Sequence, residues 1–234
     1  YLQFGKSGIL ANQFNLSKGS QLLSINSTDK TPNSPVKVEF KDFRIETLTK
    51  FAEQDSALVG GIINGTVDAK ELMDTPKFEA NLTIDQLRYQ KDQLGTLRVA
   101  VNNNTANAYE VNVALAGVHE LRVNGFYYTN TETALDLTVN IDKLDLKELE
   151  SLSMGQIKKG SGAITGQMTV KGAIASPKVI GDLKFKQIAF TAGYVNSYLR
   201  IPDETISFTE QGVNFDNFTI LDSLGRKATI DGGI

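Results

Sequence analysis

The sequence predicts an all-β chain, an elongated, curved repeat β-sheet whose apolar face lines an incompletely closed groove, with short amphipathic helices between strands. Three observations predict it: hydropathy that alternates with period two, turn residues spaced between the alternating stretches, and a repeat of constant length.

Alternation comes first. Val36-Lys-Val-Glu-Phe40 sets three apolar side chains against two charged ones, and Leu135-Asp-Leu-Thr-Val-Asn-Ile141 sets four apolar side chains on one side. Leu82-Thr-Ile84, Val111-Asn-Val-Ala-Leu115, Leu121-Arg-Val123, Leu183-Lys-Phe185, Ile206-Ser-Phe208 and Val213-Asn-Phe215 follow the same rule. Successive side chains of a strand point to opposite faces, so each stretch reads as a strand with one apolar and one wet face. Asn64-Gly65, Asn124-Gly125 and Asp231-Gly232, with prolines 32, 35, 76, 177 and 202, punctuate the strands. Many short strands so punctuated indicate an antiparallel, meandering sheet. Only Glu46 to Ala57 and Lys147 to Met154 read as helix, with Leu48 and Phe51 in one and Leu149 and Leu152 in the other.

The two helical stretches occupy equivalent places in a repeat. Gly61-Ile-Ile-Asn-Gly65 recurs 101 residues later as Gly162-Ala-Ile-Thr-Gly166, and Thr75-Pro76-Lys77 as Ser176-Pro177-Lys178. The same offset carries Val36, Val38 and Phe40 onto Leu137, Val139 and Ile141, and Leu82 and Ile84 onto Leu183 and Phe185. Glycine, proline and alternation hold one register without a gap from residue 36 to 88. Residues 1–35 therefore read as the tail of a preceding unit, 36–136 as a complete unit of some seven strands, and 137–234 as a second, truncated unit. The chain reads as one continuous segment of a longer protein.

A repeating sheet with one apolar face stacks unit on unit and cannot easily close on itself. Curling across its width leaves a long trough that suits a chain-like apolar ligand. Candidate lining residues are Val36, Val38 and Phe40; Leu82 and Ile84; Leu137, Val139 and Ile141; Leu183 and Phe185; and Phe208 and Phe215. Each of them is equally placed to be plain core.

Composition excludes other classes. Lys and Arg total 24 against 27 Asp and Glu, and the most basic run is Lys158-Lys159, so nucleic acid is not an expected partner. With no cysteine, disulfides, thiolate metal sites and a cysteine nucleophile are out. The single histidine, His119, lies in Gly117-Val-His-Glu120 and reads as a surface residue of a turn. Asp142, Asp145, Glu148 and Glu150 are interleaved with Lys143 and Lys147 and read as a solvated face rather than a catalytic or metal-binding cluster. No catalytic residue, metal or cofactor is expected.

Gly162-Ala-Ile-Thr-Gly-Gln-Met-Thr-Val-Lys-Gly172, followed by Ser176-Pro-Lys-Val-Ile-Gly-Asp-Leu183, resembles the glycine-punctuated cadence of the TamB branch of the AsmA-like proteins. Ile206 to Asp222 and Ala228 to Ile234 are similar to the ending of that family's repeat, whereas the earlier unit departs from it, with Glu71 and Met73 in place of Gly172 and Ile174. The resemblance implies a β-taco groove for phospholipid acyl chains. It also implies periplasmic residence, an inner-membrane anchor outside this chain, and an outer-membrane barrel of the insertase type as partner. The expectation is non-catalytic, bridge-like transport of phospholipid between the two membranes. The alternative is a scaffold or chaperone supporting outer-membrane protein assembly.

Overall fold

The computed structural model describes residues 1–5, 8–47, 58–73, 75–90, 92–103, 107–129 and 131–234. The strands are β1 (Leu2–Gly5), β2 (Gly8–Ala11), β3 (Phe14–Lys18), β4 (Gln21–Ser27), β5 (Val36–Arg44), β6 (Val59–Lys70), β7 (Lys77–Tyr89), β8 (Asp92–Asn102) and β9 (Ala108–Ala116). They continue as β10 (Glu120–Tyr128), β11 (Leu135–Asp145), β12 (Ile157–Ala173), β13 (Ser176–Ala192), β14 (Ser197–Ile201), β15 (Glu204–Thr209), β16 (Gly212–Asp222) and β17 (Lys227–Gly233).

Strands β3 to β13 pair in sequence order, each antiparallel to the next. β14 and β15 are two halves of one interrupted strand: both lie between β13 and β16, and Pro202 marks the break. β17 completes a single sheet of fifteen strands, while β1 and β2 form a separate hairpin. The order is linear. β3 at one end and β17 at the other do not meet, so the sheet curls without sealing into a barrel. The chain exposes 14081 Å², against roughly 10,400 Å² for a compact globule of the same mass. A third more surface is what an open, elongated sheet costs.

Curvature is built into the strands. β5 slips register against β6 between Phe40 and Phe43, and β11 against β12 between Ile141 and Leu144, again 101 residues on. The β6–β7 irregularity between Gly60 and Ile62 likewise recurs between Ser161 and Ala163. Bulges increase local twist and bend the strand that carries them. Glycine permits the tightest approaches: Gly65 sits at φ +127°, and a Cβ there would overlap the carbonyl oxygen of Asn81 on the next strand.

Two expectations need correction. The unit 36–136 contains six strands, β5 to β10, rather than about seven, because β6, β7 and β8 run to 11–13 residues each. Lys147 to Met154 is two 3₁₀ turns, Lys147–Leu149 and Ser151–Ser153, ending at a left-handed Met154. Serine chemistry explains this. Ser153 Oγ donates to the Glu150 carbonyl at 2.6 Å and Ser151 bonds Asp92 of β8, contacts that compete with a regular helical ladder. Of the other expected helix, only its start at 45–47 is helical within the described residues; 48–57 lie outside them.

Candidate functional site

Residues directly opposite each other in an antiparallel ladder share a face. One row therefore runs from Leu16 and Leu23 through Phe40, Gly65, Leu82, Val99, Val113, Val123, Val139, Met168 and Gly181 to Phe208 and Val213. On one side of it lies the row from Phe14 and Ile25 through Val38, Val67, Ala80, Val101, Val111, Gly125 and Leu137 to Val170 and Val179. On the other lies the row from Phe43 and Ile63 through Ile84, Leu97, Leu115, Leu121, Ile141, Gly166 and Leu183 to Ile206 and Phe215. These three adjacent rows contain no polar side chain. Thirteen strands at about 4.8 Å make the middle row a path of roughly 58 Å measured along the sheet.

The structure places all twelve candidate lining residues on this face. Phe40, Leu82, Val139 and Phe208 occupy the middle row; Val38 and Leu137 one flank; Ile84, Ile141, Leu183 and Phe215 the other. Val36, opposite Ala69, and Phe185, opposite Ile164, lie one row further out on either side. Val36 and Ile141 are buried, and the other ten are half-buried. Residues in a solidly filled sandwich would be covered; these keep a share of water contact, as the lining of an open furrow does.

Sequence reading missed part of the face. Leu97, Val99 and Val101 of β8 belong to it, but Ala100 between them on the other face blurs the alternation. The rim also carries an aromatic rail: Phe78 and Tyr109 rings lie 6.4 Å apart and Tyr109 and Tyr127 stack at 6.1 Å, while the Tyr109 hydroxyl donates to the Pro76 carbonyl at 2.9 Å. These rings present hydrocarbon to the groove and one polar tip to the rim, the amphipathic use to which tyrosine is suited.

Towards the C-terminus the groove fills. Leu146, Ile188, Ile201 and Phe218 form a buried cluster, with Phe185 and Phe215 set edge-on to Phe218 at 5.6 and 5.7 Å. The bulge between Phe215 and Phe218 resets β16 so that Phe218 keeps facing inward.

His119 is not a surface residue. It lies in the β9–β10 turn but is only 1% exposed, with the end of β11 against it through Asp145. Its Nδ1 accepts the Asp145 backbone N–H at 3.3 Å, which makes Nε2 the protonated nitrogen of the neutral ring. Nε2 has no partner among the described residues. Burial holds its pKa below the usual imidazole value, although Asp145 and Glu148 pull the other way. No residue bearing nucleophilic chemistry is within bonding reach of it among the described contacts. The acidic cluster is tied up structurally: Asp142 pairs with Arg122 at 2.8 Å, Asp145 with Lys143 at 3.5 Å, and Glu150 accepts the Gly160 N–H at 2.7 Å. Among the described residues no group of His, Asp or Glu is arranged to hold a metal ion, and no helix is long and apolar enough to cross a membrane.

No family model, curated protein or solved structure matches the chain.

Proposed function

We propose that this chain is a segment of a periplasmic bridge whose groove shelters phospholipid acyl chains between the inner and outer membranes, without catalysis. The observation that carries the reading is the width and continuity of the apolar face: three neighbouring rows without a polar side chain, half-exposed across β7, β8 and β10, in a sheet whose two end strands do not pair. Moving acyl chain from water onto such a surface gains about 0.8 kcal/mol for each CH₂ covered. A lipid held over β7 to β10 loses little as it slides, because each position there offers the same chemistry as the last. The phosphate and headgroup stay over the open side, in water. The cadence shared with the TamB branch supports the direction of the reading, and with it an inner-membrane anchor and an outer-membrane barrel of the insertase type as partners of the longer protein.

The test uses neighbouring positions on opposite faces. A photo-crosslinking residue at Val99 should capture phospholipid in cells, and one at Arg98 should not. Protein adducts at Val99 in place of lipid would support the scaffold for outer-membrane assembly instead. Ile84→Arg should interrupt lipid passage in a folded protein, since a charge in the lining must be desolvated or must pull the lipid off the wall. Unchanged lipid delivery with that variant would overturn the groove reading.

A further inference from the structure

The hydrophilic face should be convex where the apolar face is concave, yet it holds a cavity of about 470 Å³ over β6 to β10. The ladder explains the depression. Thr83, Arg98, Ala114 and Arg122 follow one another across β7, β8, β9 and β10 in one outward row; Asn81, Ala100, Asn112 and Asn124 do so in the next. Ala100 and Ala114 thus form a low floor walled by longer side chains. Alanine is a poor strand former, and on a solvent-facing surface no packing demand selects it.

The chemistry of the wall is specific. Its ionisable members are Arg98 and Arg122, with no carboxylate among the lining residues, in a chain whose net charge is −3. Arg98 has no ion-pair or hydrogen-bond partner among the described residues, and Arg122 engages Asp142 through Nη2 alone. Two strand spacings separate Arg98 from Arg122 along their row, roughly 9.6 Å, so a group over Ala114 is reached from both sides. Asn64, Asn81, Asn112, Asn124 and Thr83 carry groups that donate and accept; Asn124 donates to Asn112 Oδ1 at 2.7 Å and Asn64 Oδ1 accepts the Asp42 N–H at 2.8 Å, which leaves the Asn64 amide N–H groups, Asn81 and Thr83 without a protein partner among the described residues.

We propose that this cavity binds a phosphorylated hexose unit. A phosphate monoester carries about −1.5 to −2 charges at neutral pH, matching two guanidinium groups better than a single carboxylate does. Amide and hydroxyl side chains suit the vicinal hydroxyls of a sugar ring, and the alanine floor lets the ring approach the sheet. The arginine, amide and alanine side chains alternate with those of the groove, so they lie on the opposite face of the sheet, although Gly65, Leu82, Val99 and Val113 of the middle row also border the cavity.

Calorimetric titration of the folded chain with glucose 6-phosphate, glucose and inorganic phosphate tests it. Saturable binding of glucose 6-phosphate is expected, at least tenfold tighter than that of either control and weakened by added salt. Arg98→Gln should lower that affinity tenfold or more with an unchanged melting temperature. Ala114→Thr, which fills the floor with a better strand former, should abolish binding while leaving the fold at least as stable. Absence of saturable binding, equal affinity for inorganic phosphate, or indifference to both substitutions would overturn the proposal.

Discussion

The middle of the sheet and its C-terminal end use the same alternating strands to different effect. β7, β8 and β10 contain no buried residue, although β7 and β8 contribute hydrocarbon to all three apolar rows and β10 to two of them. From β12 to β16 the same rows run into Leu146, Ile188, Ile201 and Phe218, which are nearly sealed. The difference comes from what overhangs the sheet. At the C-terminal end Leu146, from the segment between β11 and β12, and the bulge before Phe218 bring large side chains together, whereas among the described residues no such buried cluster forms over β7, β8 and β10. A single pattern of alternation therefore produces both a core and an open wall, and cover from outside the pattern decides which. The end anchors the fold, and the middle is left free to hold something else.

The sharpest way to break this comparison is to truncate one apolar residue in each region. Phe218→Ala should cost about 3–5 kcal/mol, the range for a fully enclosed aromatic, because three rings and the cluster around them lose contact. Val113→Ala, in the middle row, should cost about 1 kcal/mol, since its methyl groups are already partly in water. Urea unfolding of the two variants reads the difference. Equal losses would mean that the middle is as tightly covered as the end.

A second pair should show what the two regions share. Gly65 on β6 and Gly181 on β13 both have positive φ, and a Cβ at either would overlap a carbonyl oxygen of the paired strand, Asn81 in one case and Gln167 in the other. Gly65→Ala and Gly181→Ala should each cost about 1–3 kcal/mol, with similar losses in both. The curl is a property of the whole sheet, so its cost should not depend on whether the face is covered. Thermal unfolding of both variants measures it, and a loss at one site only would localise the bend to that region.

Much of this was legible before any coordinates. Val36, Val38 and Phe40 announce a face by spacing alone, and the pleat then carries it to Leu82, Val139 and Phe208 without further information. The offset of 101 carries the bulge between Phe40 and Phe43 onto the one between Ile141 and Leu144, a correspondence that only the ladder register reveals. What stayed hidden depends on neighbours distant in sequence. Nothing around His119 reveals that the end of β11 will lie against it, and nothing around Ser151 reveals that Asp92 will draw it from a regular helix. Arg98 and Arg122 look like ordinary outward charges until the ladder sets them on either side of Ala114.

His119 offers a smaller effect confined to the middle. Its pKa is lowered in the folded protein, so below the ordinary imidazole value of about 6.5 the unfolded chain takes up a proton that the folded state resists. Stability contributed by the neutral ring is whole above that pH and is lost as pH falls towards the depressed folded value. Acidification should therefore lower amide protection, measured against the intrinsic exchange rate at each pH, in β9 and β10, where protonation would displace the Asp145 N–H from Nδ1, and leave protection in β13 and β15 unaffected. Burial is the largest cause of the shift; Lys143 also opposes the ring's charge, while Asp145 and Glu148 favour it. His119→Gln should abolish the regional contrast. If protection falls everywhere alike, the response belongs to the carboxylates of the whole chain.

The smallest effect belongs to the hydrophilic side of the middle strands. Arg122 on β10 and Asp142 on β11 pair at 2.8 Å, with side chains 58% and 44% exposed. Water screens such a pair, and holding two long side chains in one geometry costs entropy, so Asp142→Asn should lower stability by about 0.2–1 kcal/mol. The loss should shrink further in salt. What distinguishes this pair from a decorative one is its position beside the alanine-floored cavity: releasing Arg122 from Asp142 leaves the guanidinium free for a ligand. The same substitution should thus slightly weaken the fold and tighten binding of glucose 6-phosphate, two changes of opposite sign in one variant. A merely structural ion pair would give the first without the second.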